Sequence, residues 1–260
     1  MNLPLLTRQQ LEIINRKTLR YPLHVAEKDY FLALVMQIIS QSQLQNTLVF
    51  KGGTAVNHCY LEQSRFSEDL DFSTNQVILA LDDVRRVFAG FDFLTIKKDY
   101  LSQATIKIER LQYTGPLLQP NFLKIEIDYF QNVLLPPRLF KYSNVWGLDF
   151  ETRVMDIREI CAEKIRAMSD RARFRDYYDL FLLLETQDLD LDEIVAYVGR
   201  KEIRKPISKA SILRNWAIVV TQKTKEMNQI YYSRKVDDEL ILKMVDKLPF
   251  TEILPSQTSD

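Results

Sequence analysis

The chain contains only six glycines in 260 residues, and two of them are adjacent, Gly52 and Gly53. They follow a short apolar run at 47–51 (TLVFK) and precede TAVNHCYLE at 54–62, which has helical spacing. Glycine accepts positive φ and allows another group to come close to the backbone. The pattern therefore reads as strand, tight turn, helix, with the helix starting at or just after Thr54. Such a helix start carries unpaired N–H groups and the positive end of a dipole, a ready site for phosphate. Thr54 can cap the helix and also bond a phosphate oxygen. KGGT taken alone is equally the pattern of a plain chain reversal. It is neither a P-loop, in which Lys follows the glycines, nor a GxGxxG dinucleotide turn.

The acids that follow narrow the reading. LDFS at 70–73 is strand-like, and period two puts Asp69 and Asp71 on one face with Leu70 and Phe72 on the other. Adjacent like charges repel, a conflict that a divalent cation removes. Mg²⁺ takes one or two carboxylates together with waters and substrate phosphates. The run at 122–130 (FLKIEIDYF) offers a third acid, because Lys124, Glu126 and Asp128 share a face. If this strand lies beside LDFS, Glu126 or Asp128 joins the pair, giving a phosphoryl-transfer site. An exposed, solvated strand face would produce the same alternation.

The remaining sequence limits the class. Lys+Arg and Asp+Glu are both 35, so the formal net charge is zero and no global field draws the chain to nucleic acid or membrane. Cys59 and Cys161 lie on apolar-periodic segments and read as two buried thiols in a reducing compartment. With two scattered histidines, His24 and His58, a zinc site is not expected. No apolar run reaches the roughly 18 residues of a membrane span, and the start lacks the pattern of a signal peptide. A cytoplasmic protein is expected.

Three textures divide the chain. Residues 1–45 are a helical segment, including YFLALVMQII at 30–39. Residues 46–155 are mixed, with a short helix at 81–90 and alternating runs at 93–97, 104–113 and 122–130 that predict half-buried strands. Residues 156–250 are almost entirely helical, opening on Asp156 and Glu159 in the pattern of a capping box. Residues 251–260 form a polar tail. In the helical region Ile157, Ile160, Cys161, Ile165 and Met168 make an apolar stripe with Lys164 at its edge, where lysine usually snorkels to water. Arg166, Arg171, Arg173 and Arg175 offer guanidinium groups for phosphates or RNA backbone. Asp176 and Asp179 share a helical face, and Arg175 and Asp179 have the spacing of an ordinary surface ion pair. The stretch 200–225, with Arg200, Lys201, Arg204, Lys205 and Lys209, is locally basic and fits either an RNA backbone or a solvated helix surface.

In order along the chain, KGGTA, RFSEDLDF, KIEI, EKIRAM and RDYYDL resemble the AbiEii/AbiGii-type nucleotidyltransferase toxins, which include the MenT-like toxins. The resemblance runs from about residue 26 to about residue 184. It implies an α+β fold: a DNA polymerase β-like nucleotidyltransferase core, a mixed sheet with flanking helices, followed by a helical C-terminal domain. It implies Mg²⁺, a nucleoside triphosphate, an RNA acceptor such as the tRNA 3′ end, and a cognate antitoxin. Carried over to this chain, Gly52, Gly53 and Thr54 match the phosphate-holding turn, Asp69 and Asp71 the metal pair, and Glu126 the third acid with Asp128 as fallback. Lys164 matches a lysine that contacts the triphosphate. Asp176 and Asp179 match acids that either act on the acceptor hydroxyl or orient Lys164 and nearby arginines. Arg171, Arg175, Lys201, Arg204 and Lys205 are the expected RNA-binding residues. A protein hydroxyl as acceptor, GTP binding without RNA transfer, and a catalytically silent binding module remain alternatives.

Overall fold

The computed structural model describes residues 3–74, 79–201 and 204–255, without the side chains of Lys225 and Asn228; the end of the expected tail, 256–260, lies outside the described residues. The chain divides into two compact units. One comprises Met1–Val133 with Pro137–Val154, the other Leu134–Pro136 with Met155–Asp260.

The first unit opens with two helices, α1 (Arg8–Lys17) and α2 (Leu23–Ser40). Thr7 starts α1 through a reciprocal capping box with Gln10. Helix α2 is buried on nearly every side, as its continuous apolar composition requires. The sheet strands of this unit are β1 (Leu48–Lys51), β2 (Asp69–Thr74), β3 (Leu94–Leu101), β4 (Thr105–Thr114), β5 (Pro120–Asp128), β6 (Arg138–Lys141) and β7 (Glu151–Val154). They form one mixed sheet in the order β3-β4-β5-β2-β1-β7-β6. Between β1 and β2 lie α3 (Gly52–Ala55) and a π-helical turn, Val56–Tyr60; α4 (Leu81–Phe88) precedes β3.

The alternation in the strands sets the two faces. Leu70, Phe72, Ile106, Ile108, Ile125 and Ile127 are all within 1% of complete burial. Their neighbours Asp69, Asp71, Lys107, Lys124, Glu126 and Asp128 are only half-buried on the opposite face. One face is therefore core, against which α2 packs at β2, β5 and β7, and the other is polar.

The second unit holds α5 (Ile157–Asp170), α6 (Phe174–Thr186), α7 (Leu191–Arg200), α8 (Lys209–Ile230) and α9 (Asp238–Asp246), with a small ribbon of β8 (Ile207–Ser208) and β9 (Glu252–Ile253). Trp216 is buried against Tyr177 and Phe174, the core position its periodicity predicts.

Several local expectations change. The helix after β1 begins at Gly52, and Thr54 lies inside it, so Thr54 does not cap it. Strands β6 and β7 escape sequence reading because each has only four residues and they stand among prolines and loops; β7 exists through parallel pairing with β1 at Phe50 and Val154. Asp156 caps α5 by accepting from the Arg158 N–H. Glu159 does not complete a box there. Its carboxylate accepts from the Leu134 and Leu135 N–H groups and from Lys201.

Lys201 is correspondingly buried, 2% exposed, with Nζ 2.5 Å from Glu159 and 2.8 Å from Glu163. Removing one partner of a buried ion pair leaves an uncompensated charge. Lys201→Ala is expected to lower unfolding free energy by about 3 kcal/mol, read from urea denaturation at neutral pH. A loss within experimental error would show that Glu159 is satisfied without the lysine.

Candidate active site

The double glycine answers to two separate neighbours. Gly52 has φ +75°, a conformation that strains any residue with a Cβ. A Cβ there would also lie 2.4 Å from Asp71 Oδ2, so the absent side chain is what allows the carboxylate to rest on the turn. At Gly53 a Cβ would lie 2.6 Å from Arg65 Nη2 and 3.1 Å from Ser67 Oγ. Arg65 is 1% exposed and donates from Nη1 to the Phe66 carbonyl at 2.9 Å.

Asn57 fixes the loop that leads into the acidic strand. Its Nδ2 donates to the Gly53 carbonyl at 2.9 Å, and its Oδ1 accepts from Ser64 Oγ and the Arg65 N–H at 2.7 and 3.0 Å. Thr54 is fully buried, and its hydroxyl donates to the Asp69 carbonyl, with Ser67 Oγ 2.9 Å away. The hydroxyl expected to bond a phosphate instead ties the glycine turn to β2.

Strand register assembles the charged groups. Antiparallel β1 places Lys51 opposite Asp71, parallel β5 places Glu126 opposite Asp71, and antiparallel β4 places Lys107 opposite Glu126. Residues paired across a sheet share a face, so Lys51, Asp71, Glu126 and Lys107 form one transverse row. Asp69 stands in the neighbouring row, opposite Lys124. Burial, the Asp69 charge and Glu126 push the Asp71 carboxyl up to about 6 against the pull of Lys51 and Lys124. Glu126 is bonded to Lys107 at 2.9 Å. Asp128 sits one row on, opposite Ser73. Its Oδ1 accepts from the Phe130 and Gln131 N–H groups at 2.9 and 3.1 Å, and its Oδ2 lies 3.5 Å from Lys51 Nζ.

Among the described residues, no three His, Cys, Asp or Glu side chains are gathered into a set that could hold a metal ion. Asp69, Asp71 and Glu126 are therefore not gathered as such a set, and Glu126 is bonded to Lys107. The pair Asp69 and Asp71 still suits a cation that takes two carboxylates and completes its shell with water and phosphate. Burial first, and then the neighbouring Asp69 charge, raise the Asp71 carboxyl, so its charged form is under-compensated. The two thiols take no part: burial pushes Cys59 and Cys161 to about 12.

In the second unit Lys164 is 7% exposed, with Nζ 3.1 Å from Asp176 and 2.7 Å from Asp179. It does not snorkel. Arg171 bonds the other oxygen of Asp176 at 2.8 Å. Burial raises the Asp176 carboxyl, but Lys164 and Arg171 outweigh it and hold the group far below its ordinary value. Arg171 and Arg173 are exposed and Arg175 is half-buried, as are Arg204 and Lys205 exposed. Lys201, expected among the RNA-binding residues, is committed to Glu159 and Glu163 instead.

Sequence reasoning passed over Lys51, Lys107 and Arg65. Lys51 ends a short apolar strand that is buried along its length, and only its pairing with Asp71 puts it on the polar face. Nothing short of the fold places Arg65 on Gly53.

Two outcomes are expected. Gly52→Ala combines positive φ with a close approach and should cost about 2 kcal/mol or more of stability, read from thermal and urea unfolding. For Asp176 the folded-state pKa lies below the unfolded one, so its contribution is complete above the ordinary value of 3.8 and fades as pH falls below it. Urea midpoints of the protein and its Asp176→Asn variant should therefore differ most near neutrality and converge in acid.

Comparison with known proteins gives a consistent picture. The family model described as "Nucleotidyl transferase AbiEii toxin, Type IV TA system" matches residues 33–246. Among solved structures the chain is similar to MenT4, a nucleotidyltransferase toxin of Mycobacterium tuberculosis H37Rv, with TM-score 0.60 and 23% identity over 84% of this chain and 73% of that one. It is also similar to JHP933 from Helicobacter pylori, with TM-score 0.57 and 17% identity over 86% of this chain and 89% of that one. At these identities the two structures speak for the shared fold. No curated protein matches the chain.

Proposed function

As a member of the AbiEii nucleotidyltransferase toxin family of type IV toxin–antitoxin systems, this chain is a nucleotidyltransferase, and we propose that it transfers nucleotides from a nucleoside triphosphate to the 3′ end of RNA, tRNA in the first instance, with Mg²⁺. The observation that carries this reading is the transverse row of Lys51, Asp71, Glu126 and Lys107, beside Asp69 and next to a glycine turn with no side chain at Gly52. The site would act in the cytoplasm, where its substrates are, and family membership supplies a cognate antitoxin as the controlling partner. No helix among the described residues is long and apolar enough to cross a membrane.

Asp69 and Asp71 would hold Mg²⁺, which when bound supplies charge neutralisation at the phosphate oxygens. Leu70 and Phe72, anchored in the core, keep both carboxylates on the polar face. Gly52 leaves the space beside Asp71 clear, and Gly53 completes the turn on which the triphosphate would rest. Glu126, held by Lys107, is the proposed third carboxylate. Asp128 is the weaker choice, because its oxygens already serve two backbone N–H groups and Lys51.

Lys164 is the proposed triphosphate contact. Its two carboxylate partners fix where the ammonium points, which suits Asp176 and Asp179 as positioning residues. Arg171, Arg175, Arg204 and Lys205 are the proposed contacts of the second unit to RNA backbone; the burial of Lys201 removes it from that set. In the reaction an RNA 3′ oxygen forms a bond to the α-phosphorus. The bond to the bridging oxygen breaks, pyrophosphate leaves and the hydroxyl proton passes to solvent. Alignment and charge neutralisation supply most of the acceleration in such a transfer.

The test is incubation with Mg²⁺, total tRNA and each α-³²P nucleoside triphosphate in turn. Label on tRNA is expected with at least one nucleotide, and a loss of about 100-fold or more in rate is expected for Asp69→Asn and for Asp71→Asn. Label on protein in a cell extract, with none on RNA, would redirect the reading to a protein acceptor. No transfer to either, from folded protein, would overturn it.

A further inference from the structure

The polar face of the first unit continues beyond the acids. On β3, β4 and β5 it carries rings and cations in the rows that lead to Asp69 and Asp71. Tyr100 on β3 is paired with Lys107, and so extends the row of Lys107, Glu126, Asp71 and Lys51 to the outermost strand. One row over, Lys98 on β3 is paired with Arg110, and Lys124 is paired with Asp69. Phe122 lies two residues before Lys124 on β5 and so shares its face.

The register irregularity in β4 between Ile108 and Leu111 adds an extra outward residue. Both Glu109 and Arg110 therefore project from this face while Ile108 and Leu111 remain in the core. Tyr100 is 38% exposed, Arg110 is exposed and Phe122 half-buried. Arg110 stands over the Phe122 ring at 5.4 Å, and Lys107 over the Tyr100 ring at 6.0 Å. Among the described residues neither Arg110 nor Lys124 has a carboxylate within ion-pair distance, whereas Lys98 is paired with Glu109. A solvated strand face built for stability would neutralise its cations by cross-strand pairing. Here two stand outside such close pairs: Arg110 beside the Phe122 ring, and Lys124 acting on Asp71 and Glu109 only at longer range.

We propose that this face of β3, β4 and β5 is the seat of the acceptor strand: single-stranded RNA lies across it, bases against Tyr100 and Phe122 and phosphates on Arg110 and Lys124, with its 3′ end at Asp69 and Asp71. The inference rests on the RNA-acceptor reading above and adds the surface that reading lacks in the first unit. Aromatic rings beside cations on an open sheet are the chemistry of single-strand binding, since every base offers a face for stacking. The row from Tyr100 to Asp71 spans three strand spacings, about 14 Å, room for a few unpaired nucleotides such as an RNA 3′ terminus provides. A duplex would meet only the cations and leave the rings unused.

The test uses the full chain and two variants, Tyr100→Leu/Phe122→Leu, which keeps apolar bulk and removes the rings, and Arg110→Gln, at an exposed position. Binding of a fluorescent single-stranded RNA and of tRNA is measured by anisotropy as a function of salt, alongside KM for nucleoside triphosphate and the thermal midpoint. The ring variant is expected to weaken RNA binding about 10-fold. Arg110→Gln should reduce the slope of log affinity against log salt by about 0.7. Both variants should keep the thermal midpoint and the KM for triphosphate. RNA affinity and salt slope unchanged in both variants, with RNA still labelled by the unaltered protein, would overturn this surface and leave the RNA-acceptor reading standing. Labelling of protein and never of RNA by the unaltered protein would remove that reading, and the surface with it.

Discussion

The two-faced alternation of β2 is the constraint on which the site depends. Leu70 and Phe72 are driven into the core, which leaves Asp69 and Asp71 no choice of direction. A slip of one residue would bury both acids and expose both apolar side chains, a cost of several kcal/mol on each count. The register with β1 and β5 then follows from hydrogen bonding, and it brings Lys51 and Glu126 to the two sides of Asp71. Charge placement is thus a consequence of hydrophobic burial on the opposite face.

The glycine turn belongs to the same argument. Its two positions are not interchangeable. Gly52 is required by its backbone angle and by the proximity of Asp71, Gly53 by the guanidinium of Arg65. Thr54 closes the unit by bonding the Asp69 carbonyl, so turn and acidic strand are held as one piece. A site that takes a highly charged substrate gains from such rigidity, since little reorganisation accompanies binding. Within that piece Asp71 is raised chiefly by its burial and secondly by the neighbouring Asp69 charge.

The second unit shows the opposite treatment of charge. Lys164 and Lys201 are both buried, and each is held between two carboxylates. Sequence alone reads the two lysines alike, as groups reaching outward from helices. Lys201 is compensated by Glu159 and Glu163 and serves packing. The cluster around Lys164 also includes Arg171, an exposed residue, and this gives it an outlet to solvent that the Lys201 cluster does not need.

Much of this was legible in the sequence because it rests on local rules. A short apolar run located β1, period two located β2 to β5 and predicted which acids share a face, helical spacing found α2 and the helical run from α5 onward, and the ordered motifs named the family and fold. Other features came only from the tertiary structure. Strands β6 and β7 are four-residue segments stabilised by a partner distant in sequence. The role of Gly53 needed Arg65, the placing of Glu126 opposite Asp71 and of Asp128 opposite Ser73 needed the β2–β5 register, and the fate of Lys201 needed Glu159. The amino-acid order determines which face each residue takes on its own element, because that follows from backbone periodicity. Which residues meet across elements is decided by packing and register, which balance many weak contacts at once and leave no local mark in the chain.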